Sequence, residues 1–160
     1  MPSWTDFHAA APELATAVRA RFQAHGLALL ATLRRDGSPR ISGIEIEFVG
    51  DDLWLGMMPG SRKAADLARD PRLALHAATS DAQVRAGDAK LSGRAIRVAE
   101  GPAWQRYAAL ASETRGATPD PATPLFRLDM REASLLRVAG DHLVIEWWRD
   151  GEPVHRVERR

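Results

Sequence analysis

Residues 60–63 read Gly-Ser-Arg-Lys, and they stand where a strand pattern gives way to a helix pattern. Leu53-Trp54-Leu55-Gly56-Met57 precedes them as a short apolar strand. Arg62 to Arg69 follows with the composition of a short helix, with Ser61 at its N-cap and Asp70-Pro71 as its stop. A helix start exposes unpaired backbone N–H groups and the positive end of the helix dipole, so it receives anions. Two cations in the first turn, Arg62 and Lys63, are unfavourable there by ~0.3–1 kcal/mol each unless an anion relieves them. A phosphate does so: arginine forks onto two oxygens, lysine acts as a point charge, and Ser61 adds a hydroxyl. The competing reading leaves Arg62 and Lys63 as solvated first-turn residues. The spacing is not the G-x-x-x-x-G-K-[ST] of a nucleotide-binding P-loop.

Other chemistry-bearing residues are sparser. Glu45 and Glu47 face one side of a strand, either as a carboxylate pair for acid–base work or as a solvated face. The five histidines, His8, His25, His76, His142 and His155, have no metal-ligand spacing, and no metal is expected. His76, inside an apolar strand, reads as a satisfied core histidine. There is no cysteine, which excludes a disulfide framework, a thiolate metal site and a cysteine nucleophile. Trp147-Trp148 reads either as a cofactor platform or as core and interface. The basic tail Arg156 to Arg160 is either a solvated terminus or a source of arginine for a phosphate.

The elements that must position these residues follow from pattern. Pro12 opens a helix over about 12–25, with Leu14, Val18 and Phe22 on one stripe and Gly26 as its stop. Strands follow at 27–33, 40–49 and 53–57, with a turn signal at Arg35-Asp36-Gly37-Ser38 and another at Gly50-Asp51-Asp52. In the second, Ile44, Ile46 and Phe48 alternate with Glu45 and Glu47. After the 62–69 helix come strands at 72–79 and 89–99, separated by a polar loop at 80–88. A helix opening at Gly101-Pro102 carries Trp104, Tyr107, Ala108 and Ala111. Two last strands run over 125–138, bent near Met130–Glu132, and 142–149. Consecutive strands without crossover helices pair antiparallel. Six or seven of them in one small domain spanning 1–160 close, or nearly close, into a barrel. The expected fold class is therefore mainly β with peripheral helices (α+β).

Composition agrees with a soluble globular chain. Of 160 residues, 45% are hydrophobic and 27% charged, so the chain can bury a core and is not of a disordered class. With 22 basic against 21 acidic residues the net charge is +1, which provides no field for nucleic acid. No apolar run approaches the ~18 residues of a membrane span. The N-terminus lacks a secretory pattern, so a cytoplasmic location is expected.

The strand, then Gly60-Ser61-Arg62-Lys63, then Asp66-Leu67-Ala68-Arg69-Asp70-Pro71-Arg72, resembles the phosphate-binding region of the pyridoxamine 5'-phosphate oxidase-like split-barrel flavoproteins. The resemblance runs through residues 27–99. The C-terminal segment Ile145 to Gly151, with Arg156 to Arg160, is similar to the family's closing segment. That family binds FMN, and relatives bind the deazaflavin coenzyme F420 or haem. The resemblance implies an antiparallel split barrel and a homodimer with the cofactor at the interface. It implies that Arg62 and Lys63 bind the cofactor phosphate with Ser61 in support, and that Met57 and Met58 lie by the phosphate and ribityl chain. Arg40, Ser42, Gly43 and Ile44 would meet the isoalloxazine ring. Trp148 and one of Arg156 or Arg160 would reach the flavin of the partner subunit.

Departures bear on the substrate. The oxidase proper has a Tyr-Thr pair at the end of its third strand, where Gly56-Met57 stand here. Glu158 occupies the place of a substrate-arm histidine, and the arginine- and serine-containing substrate helix has no counterpart near Pro102 to Leu110. These losses argue against pyridoxamine phosphate as substrate. Three functions follow: an FMN-dependent oxidoreductase on a small molecule, a deazaflavin-dependent reductase, or a non-catalytic carrier of flavin or haem.

Overall fold

The computed structural model describes residues 1–79, 81 and 83–160. Two helices open the chain, α1 (Trp4–Ala10) and α2 (Pro12–Gln23). Sequence reading predicts the second and misses the first. Its signal was present: Ser3 and Asp6 form a reciprocal capping box, each side chain accepting the other's backbone N–H. Trp4 and Phe7 of α1 are buried, Trp4 edge-on to Phe48 and Phe7 against Trp148. Leu14, Ala15, Val18 and Phe22 of α2 enter the same core.

Among the described residues nine strands follow: β1 (Leu27–Leu33), β2 (Pro39–Glu45), β3 (Glu47–Val49), β4 (Asp52–Gly56), β5 (Arg72–Ala77), β6 (Asp88–Val98), β7 (Leu125–Ala139), β8 (His142–Arg149) and β9 (His155–Arg159). Helix α3 (Arg62–Arg69) lies between β4 and β5, and α4 (Pro102–Arg115) between β6 and β7. Every pairing is antiparallel, in the order β2-β1-β5-β6-β7-β4-β3, with β8 on β7 and β9 on β8.

The expected strand 40–49 is two strands broken at Ile46. β2 lies at one end of the hydrogen-bonded path and β3 at the other. The chain crosses the gap within one residue, so the barrel closes by covalent connection there and its ladder stays open. That seam makes the architecture an antiparallel split β-barrel with peripheral helices. The count of six or seven strands is corrected to nine by this break and by β9, which the charged tail concealed. Of the expected loop 80–88, Ser80 and Ala82 lie outside the described residues, and Asp88 already belongs to β6.

The expected bend near Met130–Glu132 is a β-bulge. Ser92 pairs with Glu132 and Gly93 with Met130, leaving Arg131 as the extra residue. Only glycine fits at 93, because a Cβ there would lie 2.1 Å from the Asp129 carbonyl oxygen.

Candidate functional site

The turn Met58-Pro59-Gly60-Ser61 leads into α3, closed by the Ser61 N–H on the Met58 carbonyl at 3.1 Å. Proline and glycine suit its two central positions, and Gly60 has φ +73°. Ser61 takes the N-cap position, but its hydroxyl makes no capping bond. Its Oγ is buried and has no partner among the described residues. Burying a hydroxyl unpaired costs roughly 1–3 kcal/mol, so the atom is an acceptor and donor in want of a ligand. Arg62 is exposed, with no hydrogen bond or ion pair among the described residues. Lys63 reaches across to β2, where its Nζ donates to the Gly43 carbonyl at 2.6 Å. Nothing would touch a Cβ at Gly43, so the strand surface there is open.

One turn further along α3, Asp66 is buried at 4% exposure. Its Oδ2 accepts from the Arg40 Nε–H at 2.6 Å and the Thr32 hydroxyl at 3.0 Å, and Arg69 donates to Oδ1 at 3.2 Å. Thr32 and Arg40 are cross-strand partners in β1 and β2, so one carboxylate ties the helix to both strands. Burial pushes this carboxyl up. The bonds from Arg40, Thr32 and Arg69 outweigh it and hold the group below its ordinary value. A folded-state value below the unfolded one means the folded chain binds fewer protons in that window. The resulting stability is fully present above the unfolded value and is lost as pH falls through the folded one. Urea unfolding followed from pH ~6 down to ~3 should therefore show declining stability, with a shallower slope in Asp66→Asn. The exposed Asp6 and Asp36 and the half-buried Asp70 (held down to about 2) and Asp81 supply the remaining slope. An unchanged slope would refute the role given to Asp66.

A cavity of about 330 Å³ opens beside the end of β4, between the β2–β3 seam, α4 and the segment 119–125. Glu45, Glu47, Met57, Met58, Trp104 and Tyr107 are among its lining residues. Glu47 is committed there: it accepts the Tyr107 hydroxyl at 3.0 Å and pairs with Arg115. Burial raises the Tyr107 phenol, which keeps it a donor. The pairing of Glu45 with Glu47 as an acid–base couple is thus replaced by one fixed and one exposed carboxylate.

The other expected site residues divide by face. Arg40 and Ser42 turn inward on β2 and are half-buried, while Ile44 enters the core. Met57 is likewise buried at 3%, whereas Met58 stands out at 79%. Trp148 differs from the expectation of a cofactor contact: it is a core residue, 3% exposed, with its ring 4.9 Å from Phe7. Its neighbour Trp147 stacks on His155 instead. Arg156 and Arg160 lie exposed at β9 and just beyond it; Arg156 bonds Glu158 at 2.8 Å and Arg160 approaches Asp141 at 3.9 Å. Along the hydrogen-bonded ladder, β9 and β2 are separated by β8, β7, β6, β5 and β1.

Residues 14–137 match the family described as pyridoxamine 5'-phosphate oxidase. The chain belongs to that family. No curated protein matches the sequence. Among solved structures, PhzG from Burkholderia lata 383, in complex with tetrahydrophenazine-1-carboxylic acid, is 17% identical with a TM-score of 0.62, covering 99% of this chain and 94% of its own. A pyridoxamine 5'-phosphate oxidase-related, FMN-binding protein from Nostoc punctiforme PCC 73102 is 14% identical with a TM-score of 0.63, over 94% and 96%. HutZ, the haem storage protein from Vibrio cholerae, is 17% identical with a TM-score of 0.59, over 76% and 90%. At these identities the likeness is one of fold.

Within the pyridoxamine 5'-phosphate oxidase family fold, this chain's α3 start fits a phosphate group. The unpaired Ser61 hydroxyl, the free Arg62 and the nearby Lys63 ammonium supply donors and charge for one. Sequence reading missed Asp66, which its i, i+3 spacing to Arg69 could have suggested. It also missed the Tyr107–Glu47–Arg115 cluster, whose members are too far apart in sequence to leave any signal. Among the described residues no group of three His, Asp or Glu side chains could hold a metal, and no helix is long and apolar enough to cross a membrane.

Proposed function

We propose that this chain binds FMN and works as a flavin-dependent oxidoreductase on a small molecule. The observation that carries the reading is the α3 start, with its buried, unpartnered Ser61 Oγ beside Arg62 and Lys63. When bound, the flavin supplies the hydride and electron transfer, and the protein supplies binding, orientation and electrostatics. Ser61, Arg62 and Lys63 hold the phosphate. The open backbone at Gly43 leaves room for the ring system beside β2. The cavity walled by Trp104, Tyr107, Glu45 and Glu47 gives a planar small molecule a place next to Met58.

An absorbance spectrum and mass spectrometry of the co-purifying ligand test the reading. A flavin spectrum supports it; a deazaflavin spectrum moves the chemistry to an F420-dependent reductase, and a Soret band to a non-catalytic haem-binding protein. Oxidation of a reduced nicotinamide or a dye by the flavin-loaded protein separates enzyme from carrier. Against haem stands the setting of His76, which lines an apolar hollow: its Nδ1 lies 2.8 Å from the Ala77 carbonyl oxygen and its Nε2 lies 2.8 Å from an oxygen of Asp88.

The working unit is a homodimer with the cofactor at the interface. The support is an outward apolar face on β1, β2 and β5, where Leu27, Leu29 and Ile41 are 52%, 47% and 71% exposed. Those residues, with Ala31 and Ala74, form a face that water covers poorly and a second copy covers well. The Trp147-Trp148 pair, expected to supply the contact, has one ring in the core. Sedimentation at micromolar concentration should give a dimer, and Ile41→Glu a monomer. A wild-type monomer with cofactor bound would overturn the arrangement.

A further inference from the structure

We propose that Asp66 is the positioning residue of the phosphate site, fixing both the start of α3 and the guanidinium of Arg40 for the incoming anion. The inference rests on the reading that a cofactor phosphate binds at Ser61–Lys63. Three observations lead to it. Asp66 is one of only three polar or charged residues buried in the core among the described residues, with Thr32 and Asp129, and one of the other two is its own donor. It lies four residues after Arg62 and three after Lys63, so it shares their face of the helix. It engages Arg40 through Nε alone.

That last detail matters chemically. A carboxylate that takes Nε–H leaves both terminal amino groups of the guanidinium available, and these are the groups that fork onto phosphate oxygens. The Arg40 terminal nitrogens have no partner among the described residues, although the side chain is 18% exposed. Arg40 therefore belongs with the phosphate more than with the isoalloxazine ring. Lys63 is anchored three residues along the same strand, on the Gly43 carbonyl. Asp66 and Lys63 thus clamp α3 to β2 at two points, one on each side of Ser42. A helix held in this way presents Ser61 and Arg62 in a fixed place, and a preorganised site loses less on binding.

Binding of FMN and of riboflavin, followed by flavin fluorescence, tests the assignment, because only FMN carries the phosphate. In Asp66→Asn the amide keeps the size of the side chain but loses its charge and turns a donor toward Thr32, Arg40 or Arg69. The dissociation constant for FMN should rise about tenfold or more while that for riboflavin stays within about twofold. Arg40→Lys, with one compact amine to divide between Asp66 and the anion, should also lose preference for FMN. Thr32→Val removes one bond to Asp66 and preserves the charge, so it should give a smaller loss in the same direction. These two variants decide the matter if Asp66→Asn does not fold. Equal weakening of FMN and riboflavin, or unchanged FMN affinity in the folded variants, would reduce Asp66 to a packing role and overturn the proposal. A wild-type protein that binds flavins without preferring FMN would instead overturn the phosphate site itself.

Discussion

Arg62→Ala and Lys63→Ala should each raise the dissociation constant for FMN by about ten- to a hundredfold, and the double variant by more. The estimate follows from charge-assisted hydrogen bonds, which contribute roughly 1.5–3 kcal/mol each. Riboflavin, with the same ring and no phosphate, should change little. The two variants should differ in the absence of ligand. Arg62 has no partner among the described residues and sits at the positive end of the α3 dipole, so its removal should leave stability unchanged or slightly higher. Lys63 holds the Gly43 carbonyl, so its removal should lower stability by about 1 kcal/mol or a little more. Fluorescence titrations with both flavins and thermal unfolding of the apo forms measure all of this. FMN affinity equal in wild type and double variant would mean that the phosphate lies elsewhere, and Arg62 would then be a solvated first-turn residue.

Gly93→Ala should be the most damaging small substitution in the chain. The added Cβ would fall 2.1 Å from the carbonyl oxygen of Asp129 and 3.1 Å from the Leu128 side chain. The oxygen is backbone in the longest strand pairing of the sheet, so it cannot rotate away as a side chain would. Overpacking of cores costs roughly 1–3 kcal/mol, and a backbone clash sits at or above the top of that range. Against a total stability of ~5–15 kcal/mol, the variant should unfold at markedly lower urea, or fail to accumulate as folded protein. Gly43→Ala is the control, since a Cβ there meets nothing within 4 Å. Its stability should stay within about 1 kcal/mol of wild type. Similar unfolding midpoints for the two variants would show that the bulge adjusts.

Local signals carried much of the architecture. The 62–69 helix, its Ser61 N-cap position and its Asp70 stop were legible because caps and breakers act within a few residues. The hairpin turn at Asp36-Gly37 was legible for the same reason, and Gly37 has φ +83°. The bend near Met130–Glu132 is the bulge at Arg131. So the sequence by itself determined the succession of most elements along the chain, the antiparallel sense of the pairing and the residue types at the helix start, while the order of strands in the sheet came from the fold. Only the tertiary structure decided that 40–49 breaks at Ile46, because that break serves partners at opposite ends of the ladder. It alone decided that the charged tail is a strand, since β9 answers to the edge of β8 and not to an apolar pattern of its own. It sent Trp148 inward because α1, from the far end of the chain, lays Phe7 over it. And it gave Asp66 its meaning. In sequence Asp66 is one acidic residue in a polar helix; in the fold three donors converge on it, Thr32 and Arg40 from two strands and Arg69 from its own helix, and the convergence of the two strand donors is a property of contacts that spacing along the chain does not encode.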